Sequence, residues 1–102
     1  QGTIVVSGSA KIGKNCRIHV CTNIGRATSH GEAGAPIIGD NVYIGPGVKM
    51  FGNIKIGDNT AIGANSVVNK SFEEGNCTIA GVPAKKISDN TSEGYILGNI
   101  DK

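Results

Sequence analysis

An aliphatic side chain recurs every six residues along this chain: Val6, Ile12, Ile18, Ile24, then after one slip Ile38, Ile44, Met50, Ile56, Ile62 and Val68. Glycine follows the aliphatic at positions 13, 25, 39, 45, 57 and 63. The fifth position of each unit is small or β-branched: Ala10, Cys16, Thr22, Thr28, Val42, Val48, Thr60 and Ser66, with Ile54 the bulky exception. A period of six matches neither the 3.6-residue turn of an α-helix nor the two-residue alternation of one long strand. A fixed period of this kind predicts an all-β chain folded as a parallel β-helix of short strands and turns.

In such a solenoid the aliphatic points inward, the fifth residue meets the same narrow core near a corner, and glycine is expected to take turn geometry. Three strands make one triangular coil of roughly 18 residues, and stacked coils lie about 4.8 Å apart, so like residues form ladders. The repeats amount to about three coils. That is close to the minimum for independent stability, and an open end leaves strand edges unpaired, so self-association or a missing amino-terminal part is expected.

Composition fits a thin, turn-rich domain: 102 residues, 16 of them Gly, with only 4% aromatic. The formal charge of +2, with no basic run beyond Lys85-Lys86, gives no argument for a nucleic-acid partner. No stretch approaches the roughly 20 apolar residues of a membrane span, and the first residues do not open a signal peptide. Three irregularly spaced cysteines without a CxxC suit a cytoplasmic protein better than a disulfide framework. Cys16 reads as a core residue, and neither Cys21 nor Cys77 has a motif that would make it a nucleophile. Two histidines, His19 and His30, are too few for the three converging imidazoles of a zinc site, so no metal is expected.

Between Ile24 and Ile38 the phase slips by two, and the intervening 26–36 segment is polar, small and glycine-containing. It reads as a loop extruded from a rigid scaffold, where binding or catalytic contacts concentrate. At the other end, Ala80-Gly81-Val82-Pro83-Ala84-Lys85-Lys86-Ile87 closes the repeat. The domain is expected to span 1–87, with a polar tail at 88–102 that carries the apolar patch Tyr95-Ile96-Leu97.

The hexapeptide units, the slip loop, the runs from Ile44 to Gly57 and from Ile62 to Val68, and the ending Ala80 to Lys85 together resemble the serine acetyltransferase group of hexapeptide acyltransferases. The resemblance covers residues 3 to 87. It implies a left-handed β-helix, a homotrimer, and acetyl-CoA as co-substrate lying in a groove between neighbouring subunits. It also implies a reaction: a histidine takes the proton of an acceptor hydroxyl, whose oxygen attacks the thioester, while a backbone N–H stabilises the oxyanion. In the family's phase that histidine falls on the residue immediately before Gln1. The chain is therefore expected to be the carboxy-terminal part of a longer O-acetyltransferase and inactive by itself.

The resemblance carries acetyl-CoA contacts onto Gly25, Gly45, Pro46, Gly63, Ala64 and Lys85, with Lys85 available to the nucleotide phosphates. Pro46 stands where a small residue is expected and removes a backbone donor. His19, near the groove, and His30, in the slip loop, are weaker candidates for contact with the acceptor or for a substitute base. The serine enzymes carry Arg-His-Pro where this chain has Gly34-Ala35-Pro36, and neither small side chain holds a carboxylate. That run looks more like acetyltransferases of exopolysaccharide and colanic acid type, so a saccharide acceptor is favoured over serine. A non-catalytic trimeric scaffold is the rival reading, and it differs in predicting no specific CoA binding.

Overall fold

The computed structural model describes residues 4–29 and 32–92. Each six-residue unit is a short strand followed by a corner. The first round is β1 (Ile4–Val6), β2 (Lys11–Ile12) and β3 (Arg17–Ile18). Next come β4 (Thr22–Gly25), then β5 (Ala27–Ser29) and β6 (Glu32–Gly34), then β7 (Ile37–Ile38) and β8 (Tyr43–Ile44). A further round is β9 (Lys49–Phe51), β10 (Lys55–Ile56) and β11 (Ala61–Ile62), followed by β12 (Val67–Val68), β13 (Thr78–Gly81) and β14 (Ala84–Ser88). No helix occurs among the described residues.

Three parallel sheets run along the stack, in the orders β1-β4-β9-β12, β2-β7-β10 and β3-β8-β11-β13, and β14 adds antiparallel to β13. Paired positions lie 18 residues apart from Ile37 to Lys55 and 17 apart from Ala61 to Thr78, but 26 apart from Lys11 to Ile37. The difference, 26 less 18, is eight residues, and they leave the stack as the antiparallel hairpin of β5 and β6. This corrects one expectation. Thr28 is not a fifth-position core residue but belongs to β5, and buried Pro36 takes that place between Ala10 and Ile54. The backbone confirms the column: Lys11 N–H donates to the Pro36 carbonyl (3.1 Å) and Ile37 N–H to that of Ile54 (2.9 Å).

The core is the set of aliphatic ladders. Ile24 pairs with Met50 and Met50 with Val68, Ile38 with Ile56, and Ile44 with Ile62 and then Ile79, all 2% exposed or less. Each such burial is worth about 1.5–3 kcal/mol. Ile4 and Val6, interior positions of the first strand, remain 46% and 39% exposed.

The glycines that follow the interior aliphatics do their work differently from the turn role expected of them. At the corners after β2, β7, β10 and beside β13, positive φ falls on the asparagines Asn15, Asn41, Asn59 and Asn76 (59°, 58°, 62° and 51°), whose side chains tolerate the left-handed region. Gly13, Gly39 and Gly57 are there because the next coil is too close for a Cβ. One built on Gly13 would lie 2.6 Å from the Gly39 carbonyl oxygen, and one on Gly57 would lie 2.6 Å from the Gly75 nitrogen. The same approach lets each aspartate reach one coil back. Lys14 N–H donates to Asp40 Oδ1 (2.8 Å), and Asp40 N–H to Asp58 Oδ1 (2.7 Å).

At the carboxy-terminal end the chain reverses after Gly81, and the start of the tail returns along the coils. Thr78 hydroxyl donates to the Asn90 carbonyl (2.8 Å), Ser92 N–H to that of Asn59 (3.1 Å), and the buried Ser92 hydroxyl to that of Asn41. The Tyr95-Ile96-Leu97 patch and His30 lie outside the described residues.

Candidate functional site

The corner between the third and first sheets sets one column of backbone. His19 N–H donates to the Ile44 carbonyl (3.1 Å), Gly45 N–H to that of Ile62 (2.9 Å) and Gly63 N–H to that of Ile79 (2.9 Å). His19, Gly45, Gly63 and Ala80 therefore stand one above another, and Ala80 pairs with Lys85 on β14. Space in the column is used up: a Cβ on Gly45 would lie 3.0 Å from the Ala64 nitrogen and the Ile62 oxygen, and one on Gly63 would lie 3.1 Å from Ala80 Cβ. Hydroxyls brace the corners, with Thr22 donating to the His19 carbonyl (2.7 Å) and Ser66 to that of Gly63 (2.8 Å).

Beside it runs a second column, Val20, Pro46 and Ala64, all exposed. Gly47 N–H goes to the Val20 carbonyl (3.1 Å) and Asn65 N–H to that of Pro46 (2.9 Å), but the N–H groups of Val20 and Ala64 have no acceptor among the described residues. Pro46, between them, has none to offer. A shallow cavity of ≈ 200 Å³ opens here, lined by Tyr43, Pro46, Ala61, Gly63, Ala64 and Thr78. An open, narrow surface with backbone donors one or two coils apart suits an extended amide-bearing chain better than a compact ring system.

Of the residues carried over from the resemblance, the structure brings Gly45, Pro46, Gly63 and Ala64 together, with exposed Lys85 at the end of the same column. Lys86 is engaged by Asp89 at 2.7 Å, whose carboxylate holds the ammonium pKa above the ordinary lysine value; among the described residues Lys85 has no ion pair. Gly25 is not part of this cluster. It ends β4 at the hairpin corner, pairs with Phe51, and accepts from Gly52 N–H (3.3 Å). His19 packs its ring edge-on against Tyr43, and its Nε2 is buried with no hydrogen-bond partner among the described residues.

Tyr43, Ala61 and Thr78 were not singled out from the sequence. The signal was present, since each immediately precedes an interior Ile of the third sheet and so must face outward. Burial pushes the Cys16 and Cys77 thiols up, Cys16 donates to the Gly39 carbonyl (3.2 Å), and Cys21 is an exposed corner residue with φ 62°. Among the described residues no three His, Cys, Asp or Glu side chains are grouped as metal ligands.

Residues 35–70, which include Gly45, Pro46, Gly63 and Ala64, match the bacterial transferase hexapeptide family (six repeats). Over that span the chain carries the family's six-residue repeats. It is similar to the serine acetyltransferase of Synechococcus elongatus, 34% identical over 82% of this chain and 34% of the relative. Among solved structures it matches the Brucella abortus serine acetyltransferase in complex with coenzyme A (38% identity, TM-score 0.76, 84% of this chain and 34% of that one). It also matches the Neisseria gonorrhoeae serine acetyltransferase in complex with serine (36% identity, TM-score 0.74, 83% and 34%). The hexapeptide chain thus spans about a third of the length of the relatives it matches. The likeness implies the left-handed winding expected from the sequence.

Proposed function

We propose that the hexapeptide-repeat chain is the donor-binding β-helix of an acetyl-CoA-dependent O-acetyltransferase, working as a trimer. The observation that carries this reading is the pair of columns at one corner, Gly45-Gly63-Ala80-Lys85 and Val20-Pro46-Ala64, with N–H groups at Val20 and Ala64 that have no acceptor among the described residues. Glycine and alanine keep the surface low, the free N–H groups meet the pantetheine amides, and Lys85 meets the nucleotide phosphates. The coenzyme A complex of the Brucella relative supports the choice of ligand.

The acceptor is a hydroxyl. In the reaction a histidine base removes its proton, the oxygen attacks the thioester carbonyl, and the CoA thiolate leaves as the C–S bond breaks. His19 is a poor candidate for that base, because its Nε2 is buried, with no hydrogen-bond partner among the described residues. We favour a saccharide acceptor because Gly34, Ala35 and Pro36 provide no cation for a carboxylate. Serine is the second reading, supported by the names of the relatives and by the serine complex of the Neisseria enzyme.

Calorimetric titration of CoA into the chain, with its molar mass measured in the same buffer, tests the proposal. Saturable binding of one CoA per chain in a trimer is expected. A well-folded trimer that binds no CoA overturns the donor reading in favour of the scaffold.

A further inference from the structure

The hairpin corner holds an aromatic shelf that the donor columns do not use. Phe51, at the end of β9, is 39% exposed, although aromatics make up only 4% of the chain. Its backbone partner is Gly25, and because Met50 pairs with Val68, Asn69 follows it in the next coil. Among the described residues the column partner leaves room on this face: a Cβ on Gly25 would meet only Asn23 Oδ1, at 3.7 Å. The rim is polar: exposed Asn23, Asn53 and Asn69, with Arg26 where the hairpin departs. Gly34, at the base of the hairpin, sits so close over Asn53 that a Cβ there would lie 2.7 Å from Asn53 Cβ, which ties the extruded segment to this shelf.

We propose that Phe51 is the stacking platform of the acceptor site and that its occupant is a pyranose ring. A sugar presents one apolar face of C–H groups to an aromatic ring and keeps its hydroxyls at the periphery. Those hydroxyls meet side-chain amides, each with two donors and an acceptor, which is the rim found here. A free amino acid is too small to cover the ring and needs an anionic partner for its ammonium group, whereas the rim named here is amides with the cations Arg26 and Lys49, the latter the register partner of Asn23. Phe51 lies past the Pro46-Gly47 corner, at most about 16 Å away along the chain, and does not line the cavity beside Pro46, so the shelf can be probed apart from the donor columns. The inference rests on the acetyltransferase reading for its meaning but not for its test.

Saturation-transfer NMR on the chain, with methyl pyranosides of glucose, galactose, mannose and N-acetylglucosamine alongside L-serine, reads the shelf directly. Transfer to the ring protons of at least one pyranoside is expected, lost in Phe51→Ala, kept in Phe51→Tyr, and with CoA affinity unchanged within twofold in both variants. Transfer to serine alone, no transfer to any pyranoside, or pyranoside transfer that survives Phe51→Ala overturns the assignment. If CoA does not bind while pyranoside transfer still depends on Phe51, the donor reading fails and the shelf stands. If CoA binds and no pyranoside does, the shelf alone fails.

Discussion

The imidazole of His19 meets the ring of Tyr43 edge-on, with centroids 5.2 Å apart and planes at 64°, while His19 Nε2 is buried without a partner among the described residues. The contact and the orphan have opposite signs. An edge-to-face pair contributes about 0.5–1.5 kcal/mol, whereas an unpaired buried polar atom costs about 1–3 kcal/mol.

His19→Phe keeps the edge contact and deletes the orphan. The variant is expected to melt higher by about 4 °C or more, corresponding to about 1 kcal/mol for a domain of this size. His19→Ala, which loses both, is expected to stay within about 1 kcal/mol of the parent. A lower melting temperature for His19→Phe in a thermal scan would show that the imidazole has a polar partner in solution.

Gly39 tests why the repeat needs glycine. Its φ is ordinary, but a Cβ would lie 3.0 Å from the Asp58 nitrogen and closer still to Asp58 Oδ1, in the contact that links two coils. Gly39→Ala is expected to cost about 2 kcal/mol or more by overpacking. Gly8→Ala, whose Cβ meets nothing within 4 Å, is expected to be neutral or to stabilise by about 0.4–1 kcal/mol through the unfolded chain. Asn15→Gly, at φ 59°, is expected to change little, because glycine accepts that geometry freely. Urea denaturation of the three variants gives the ranking, and an equal loss at Gly39 and Gly8 would contradict the close-approach account.

Alkaline pH should weaken the fold through its buried thiols. Burial is the largest cause raising both Cys16 and Cys77, so each native thiol stays protonated at a pH where the unfolded chain has begun to lose that proton. The folded state then holds more protons than the unfolded one, and stability falls as pH rises. The contribution is complete below the unfolded thiol value, roughly pH 8.5, and is lost as pH climbs through the higher native values. Melting temperatures between pH 8 and 10 are expected to fall in the parent and to fall less in Cys16→Ala/Cys77→Ala. Parallel curves would show that the thiols do not drive the loss.

The aliphatic period was enough to place the interior ladders from Val6 to Val68, because a side chain every sixth residue can face one direction only in a coil of this kind. The register across the slip was not legible. Thr28 keeps the six-residue spacing from Thr22 by coincidence, and only the pairing of Lys11 with Ile37 shows that eight residues have left the stack and that Pro36 fills the vacated position. The role of the glycines was misplaced for a related reason: inter-coil distance is not a property of any local window, so Gly39 reads as a turn residue although it avoids a clash and it is Asn41 that takes positive φ. At the site, Gly45, Pro46, Gly63 and Ala64 fall in adjacent columns because they share one phase, while Gly25 has the same Ile-Gly signature at a different corner. Spacing gives the phase of a residue in its unit, but which of three corners it occupies depends on counting strands through the slip.

Pro46 interrupts the donor track at its middle. The free N–H groups of Val20 and Ala64 flank it one coil to either side, leaving donors about 9.6 Å apart where a regular column would offer one about every 4.8 Å. A pantetheine arm laid along this corner therefore passes one coil without a backbone hydrogen bond. Pro46→Ala restores the missing N–H and keeps the surface low. A new hydrogen bond is worth about 0.5–1.5 kcal/mol net, so CoA affinity is expected to rise roughly two- to twelvefold, with the gain in enthalpy. The corner itself should tolerate the change, since the Pro46 carbonyl still accepts from Asn65 N–H and Gly47 still carries the positive φ of 76°. Calorimetry on parent and variant, after thermal scans confirm equal folding, decides the matter. Unchanged or weaker CoA binding in a folded Pro46→Ala chain would place the arm away from this corner.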